Sequence, residues 1–148
     1  MARASWSEYF MQMSLLVATR STCPRRSVGA VLVRDHRVIA SGYNGSPAGQ
    51  PHCTEAGCVI ESGHCVRTIH AELNALLQCA RYGIQTQGVD LYCTDMPCWQ
   101  CARALVQAGI QRIYYLRPYE SPETLELITS TGVQLIRVAQ PTIVPEAD

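Results

Sequence analysis

Apolar residues recur at helical spacing near the start of the chain: Trp6, Tyr9, Phe10, Met13, Leu16 and Val17 follow Ser5, which has Glu8 three residues on, a capping-box pattern. The spacing predicts a helix over 5–20. Two short apolar runs, 28–33 and 38–43, flank a polar stretch at 34–37 and read as a β-hairpin. Residues 42–66 then lose all periodicity and are rich in Gly, Pro, Cys and His. A structureless stretch of that length is uncommon in a compact domain, so an organising ligand is expected there. Periodicity returns as a helix over 70–82 closed by Gly83, a strand at 89–94, a helix over 98–108 closed by Gly109 and a strand at 112–116. Ser121-Pro122 opens a last helix to Thr131, closed by Gly132, before a strand at 133–138. Residues 139–148 hold two prolines and are expected to form a surface tail. The order αββαβαβαβ predicts an α/β fold, a central sheet with helices on both faces, in a single domain over 1–148.

Composition narrows the classes. With 148 residues, 47% apolar and 16% charged, the chain can bury one substantial core. Twelve basic residues balance twelve acidic ones, so no global positive field draws it to a nucleic acid. No apolar run reaches the roughly 18 residues of a membrane span, and the start lacks a secretory-signal layout, so a cytoplasmic protein with no membrane partner is expected. Eight cysteines then point to metal ligation, catalysis or packing and not to a disulfide scaffold.

Spacing decides among these. His70-Ala71-Glu72 opens one predicted helix and Pro97-Cys98-Trp99-Gln100-Cys101 opens another. Each half is common by itself; the pair is not. Neutral His70 and the thiolates of Cys98 and Cys101 would fill three tetrahedral positions of Zn²⁺ and leave the fourth open to water, which is the mark of a catalytic site. Helix N-termini favour thiolates, and Pro97 fits beside such a start because its missing N–H costs little there. Glu72 is free to act as the proton shuttle. A closed structural zinc site is the alternative, but it gives Glu72 no purpose.

This H-x-E…P-C-x-x-C pattern resembles the signature of zinc deaminases. Over nearly the whole chain the sequence further resembles the deoxycytidylate (dCMP) deaminases of the bacterial and bacteriophage type. The resemblance rests on Arg20-Ser21-Thr22-Cys23-Pro24-Arg25, Val28-Gly29-Ala30-Val31, Gly42-Tyr43-Asn44-Gly45-Ser46-Pro47, the run from Cys65 to Ala75, and Gln107-Ala108-Gly109-Ile110. It implies a three-layer α/β/α cytidine-deaminase-like fold with a mixed five-stranded sheet, and hydrolysis of dCMP to dUMP and ammonia. Glu72 would protonate N3, and the Ala71 and Cys98 amides would hold the ring oxygens. Asn44 would meet the sugar 3′-hydroxyl, and Tyr119 would close the pocket. Arg25, Arg26 and Ser27 suit a phosphate, with solvated surface charges as the alternative.

Cys23, Cys53, Cys58 and Cys65 remain, and relatives of this type carry a structural zinc near the corresponding loop. The four thiols form a candidate closed zinc site, in which His52 or His64 would be the substitute ligand. Cys79 and Cys93 read as core residues. The resemblance also implies a homohexamer activated by dCTP and inhibited by dTTP with Mg²⁺, the allosteric residues being Gly42, Asn44 and Gly45 in a loop that offers amides to phosphates and Arg81 at a subunit contact, with a solvated helix-end charge as the alternative for Arg81. The competing readings are a zinc deaminase that also or instead accepts dCTP, and a nucleotide-binding zinc module without turnover.

Overall fold

The computed structural model describes residues 3–142. Ser5 caps helix α1 (Trp6–Ala18) through the anticipated box: its Oγ accepts from the Glu8 amide at 3.2 Å, and its own amide donates to Glu8 Oε2 at 2.9 Å. The hairpin β1 (Gly29–Arg34) and β2 (Arg37–Tyr43) follows. Where the sequence shows no period, the chain folds a single-turn helix α2 (Cys53–Ala56) and a two-residue ribbon, β3 (Ile60–Glu61) paired with β4 (His64–Cys65). The remainder alternates at nearly the expected bounds: α3 (Ala71–Tyr82), β5 (Asp90–Asp95), α4 (Trp99–Gln107), β6 (Arg112–Arg117), α5 (Pro122–Ser130) and β7 (Gln134–Arg137).

The five long strands form one mixed sheet in the order β2-β1-β5-β6-β7. β1 runs antiparallel to β2 and β5, whereas β5, β6 and β7 are mutually parallel. Strand alternation builds two cores. Ala30, Leu32, Leu91, Cys93 and Ile113 face the layer of α3, α4 and α5. Val31, Val33, Tyr92 and Leu116 face α1. Cys79 and Cys93 are core residues, 1% and 0% exposed, as their positions implied.

The inward face of α1 departs from its most apolar stripe. Phe10, Met11, Ser14 and Ala18 are buried, while Trp6, Tyr9 and Leu16 remain exposed. Close approach explains the choice. A Cβ on Gly29 would lie 2.0 Å from the Ser14 carbonyl and 2.5 Å from the Ala18 amide, so only small residues fit where α1 crosses β1. On the opposite face, a Cβ on Gly42 would meet the Ala71 carbonyl at 2.3 Å and the Ala75 amide at 2.5 Å. The two glycines thus let α1 and α3 press onto neighbouring strands. Gly29→Ala should cost about 3 kcal/mol by overpacking and lower the melting temperature by roughly 10 °C; an unchanged thermal melt would contradict this packing.

Residues 139–142 do not run free over the surface. Pro141 is buried, and the Gln12 amide donates to the Thr142 carbonyl, so the start of the tail lies along α1. The rest of the expected tail, 143–148, lies outside the described residues. No described helix is long and apolar enough to cross a membrane.

Candidate active site

His70 and Cys98 occupy the N-cap positions of α3 and α4, and neither side chain makes a capping hydrogen bond. A Ser, Thr, Asp or Asn at such a position contributes about 1 kcal/mol, so the sequence forgoes local stability at both helix starts. What it gains is convergence. His70 Nδ1 lies 3.5 Å from Cys98 Sγ and 3.4 Å from Cys101 Sγ. A tetrahedral zinc with Zn–S near 2.3 Å and Zn–N near 2.05 Å requires N···S separations of about 3.6 Å, so the three side chains fit the ion as placed. Their chemistry fits as well. The hydrogen bond from the Cys101 thiol, opposed by burial, lowers Cys98 to about 4, and the same bond holds Cys101 up. His70 is raised, chiefly by its bond to Cys98. The Cys98 and His70 shifts both favour the thiolate form at Cys98, the form that binds a metal.

Glu72, in the first turn of α3, is 4% exposed. Burial raises its carboxyl to about 7; its own amide and His70 pull the other way, and the Cys98 and Asp95 charges add to the rise. A carboxyl poised there both holds and releases a proton near neutrality. It lines a cavity of about 260 Å³ together with His70, Ala71, Cys98, Arg25, Arg26, Asn44 and Tyr119.

A family model described as the cytidine and deoxycytidylate deaminase zinc-binding region matches residues 4–117. The chain belongs to the cytidine and deoxycytidylate deaminase family. It is 52% identical over 139 residues to ComE operon protein 2 of Bacillus subtilis, covering 93% of this chain and 74% of that protein. The deoxycytidylate deaminase of Schizosaccharomyces pombe is 40% identical over 148 residues; the match takes in 94% of this chain but only 46% of the yeast protein. Among solved structures, the dCMP deaminase of cyanophage S-TIM5 in complex with dCMP and dUMP superposes with a TM-score of 0.81 at 30% identity, over 93% of this chain and 100% of that one. The fold is the cytidine-deaminase-like α/β fold.

Within this deaminase the other expected site residues fall in several places. Asn44, 7% exposed, accepts from the Val28 amide at 2.9 Å and donates to the Arg26 carbonyl at 2.8 Å, so it braces the arginine segment at the pocket wall. Ser27 is exposed, and its carbonyl accepts from Arg117 at 3.2 Å. Gly42 is packed under α3, and the Gly45 amide donates to the Ile69 carbonyl at 3.2 Å, so that amide is not available to a phosphate. Arg81 sits in the exposed last turn of α3, beside the Tyr82 ring.

The ligand atoms of Cys23, Cys53 and Cys58 lie within 4.8 Å of one another, and Cys65 Sγ is 3.6 Å from Cys53 Sγ. A tetrahedral four-thiolate zinc needs S···S separations of about 3.8 Å; the Cys53–Cys65 pair meets it, while Cys65 stands outside the trio of Cys23, Cys53 and Cys58. Burial pushes Cys53 up to about 12. Burial acts the same way on Cys65, but the Arg67 and Val59 amides and the adjacent thiols bring it down to about 7. His52 turns to Glu55 instead, 3.8 Å away, and His64 faces the main pocket. Cys23 and Cys65 line that pocket also, so the second cluster forms part of its wall. Two residues escaped the sequence reading: Asp95, which lines the pocket, and Arg117, which donates to Asp95. Their signal is the placement of Asp95 just before Met96-Pro97-Cys98 at the end of an apolar strand.

Proposed function

We propose that the chain hydrolyses the exocyclic amine at C4 of dCMP, with one water consumed and dUMP and ammonia released. One observation carries the reading: a buried carboxyl, Glu72, lies beside the His70–Cys98–Cys101 donor set in a pocket that also holds Arg25, Arg26 and Asn44. A zinc held by His70, Cys98 and Cys101 would supply the Lewis acidity that lowers the pKa of water from 15.7 to about 7. Glu72 takes a proton from the attacking water, delivers it to N3, and assists departure of the amine as ammonia. The Ala71 and Cys98 amides, at the two helix N-termini, face the oxygen side of the ring. Asn44 has one remaining N–H for the sugar 3′-hydroxyl, Arg25, Arg26 and Ser27 take the 5′-phosphate, and Tyr119 covers the nucleotide.

The test is ultraviolet loss of cytosine absorbance on mixing metal-replete protein with dCMP, dCTP, deoxycytidine and cytosine. Preferential turnover of dCMP is expected. Equal turnover of dCTP would establish the broader phosphate pocket, and no turnover of any of them would contradict the reading in favour of a binding module.

The second thiol cluster is proposed as a closed structural zinc site that ties α2 and the β3–β4 ribbon to Cys23. Cys23→Ser should lower bound zinc from two per chain to one and reduce the melting temperature; metal analysis showing two zinc ions in the variant would refute it. Regulation by dCTP and dTTP with Mg²⁺, a homohexamer and a cytoplasmic location complete the proposal. Leu73, Leu77 and Arg81 lie exposed on one face of α3, which supports an interface between copies with Arg81 as one of its residues. Effector phosphates in the 42–49 loop would use amides other than that of Gly45, with Gly42 and Asn44 setting the loop's shape.

A further inference from the structure

β5 and β6 pair in parallel with Asp95 directly opposite Arg117, at the carboxyl ends of the strands, the end at which α/β sheets place their ligands. Asp95 is 6% exposed. Two guanidinium groups reach the same carboxylate: Arg117 Nε donates to Oδ1, and Arg26 Nε lies 2.9 Å from Oδ2. Arg117 Nη2 also donates to the Ser27 carbonyl at 3.2 Å, which pins the segment that carries Arg26. Both arginine side chains remain more than half exposed, at 59% and 52%.

A buried carboxylate needs a partner, and one guanidinium would satisfy it. A second, drawn from a different part of the chain to the same carboxylate, calls for another purpose. Two adjacent guanidinium groups repel, and the carboxylate between them removes that repulsion while leaving the trio with a net charge of +1. Arg117 uses Nε on Asp95 and Nη2 on the Ser27 carbonyl, which leaves its Nη1, and Arg26 turns only its Nε toward Asp95, so terminal N–H groups of both stay available for a phosphate. The Arg26 contact lacks hydrogen-bond alignment, since Asp95 Oδ2 has no hydrogen-bond partner among the described residues, and that guanidinium can turn toward a ligand. Tyr119, two residues beyond Arg117, lines the same pocket as Arg26 and Asp95.

We propose that Asp95 is a positioning residue that holds Arg26 and Arg117 as a paired guanidinium arm for the 5′-phosphate, and that this arm selects nucleotide over nucleoside. The proposal rests on dCMP being the substrate. It assigns Arg117 to the phosphate site, with Asp95 acting only through the two arginines.

The experiment is steady-state kinetics on metal-replete wild type, Arg117→Gln and Asp95→Asn, with dCMP and deoxycytidine as the two substrates and a thermal melt of each protein. The ratio of kcat/KM for dCMP to that for deoxycytidine is expected to fall at least tenfold in both variants, mainly through KM for dCMP. Because Arg117 is half exposed, its variant is expected to fold. A ratio within twofold of wild type in Arg117→Gln would overturn the arm. A ratio that rises in Asp95→Asn would overturn the positioning role, because the carboxylate would then only be offsetting positive charge. Wild type with no preference for dCMP over deoxycytidine would instead refute the substrate reading, which separates the two failures.

Discussion

Glu72→Gln is expected to keep zinc content and melting temperature near wild type and to lower kcat on dCMP by about 10³-fold or more. Gln matches Glu in shape and volume, and at 4% exposure the side chain has little room to reorient, so packing around α3 is preserved. What is lost is the ability to take and return a proton, which a positioned acid–base group typically contributes at 10²–10⁴-fold. The substitution also removes the penalty of burying a charge, so stability should hold or rise slightly. Metal analysis, a thermal melt and the dCMP assay on one preparation check all three statements. Turnover within tenfold of wild type would refute the shuttle role.

Cys98→Ser is expected to remove the zinc of the His70–Cys98–Cys101 site and with it all measurable turnover. Serine offers a hydroxyl that is not ionised at neutral pH, where the cysteine sits as a thiolate drawn down to about 4 by its bond from Cys101 with burial opposing. Two ligands then remain where the geometry needs three. Cys98 is only partly buried, so the fold itself is not at stake. Zinc bound at the second cluster should persist, so metal content falls by one ion per chain and not to zero. A variant that retains full metal and activity would contradict the ligand assignment.

The strands and longer helices were legible because each carries a periodic apolar face and a terminator, as with Gly83 and Gly109. The convergence of His70, Cys98 and Cys101 near Glu72 was legible because these residues sit at fixed short spacings beside helix starts. Other features had no such signature. The α2 turn and the β3–β4 ribbon are too short to show a period, and they lie in the segment whose thiols, not its apolar residues, gather together. The buried face of α1 was obscured because Ser14 and Ala18 are selected for size against Gly29, while the more apolar Leu16 points outward. Asp95 and Arg117 are isolated in sequence, and only the parallel register of β5 and β6 brings them together. The Gly-rich composition of 42–49 suggests amides open to a phosphate, but that of Gly45 is paired with the Ile69 carbonyl, a contact between distant residues that composition does not show.

The measurement that bears most directly on the central claim is product analysis after wild-type protein is incubated with dCMP, once with its zinc in place and once stripped by a chelator. One dUMP and one ammonia are expected for each dCMP consumed by the zinc-loaded protein, with turnover lost on stripping and restored by added zinc. Unconsumed dCMP in the zinc-loaded sample, or equal turnover with and without the metal, would contradict it.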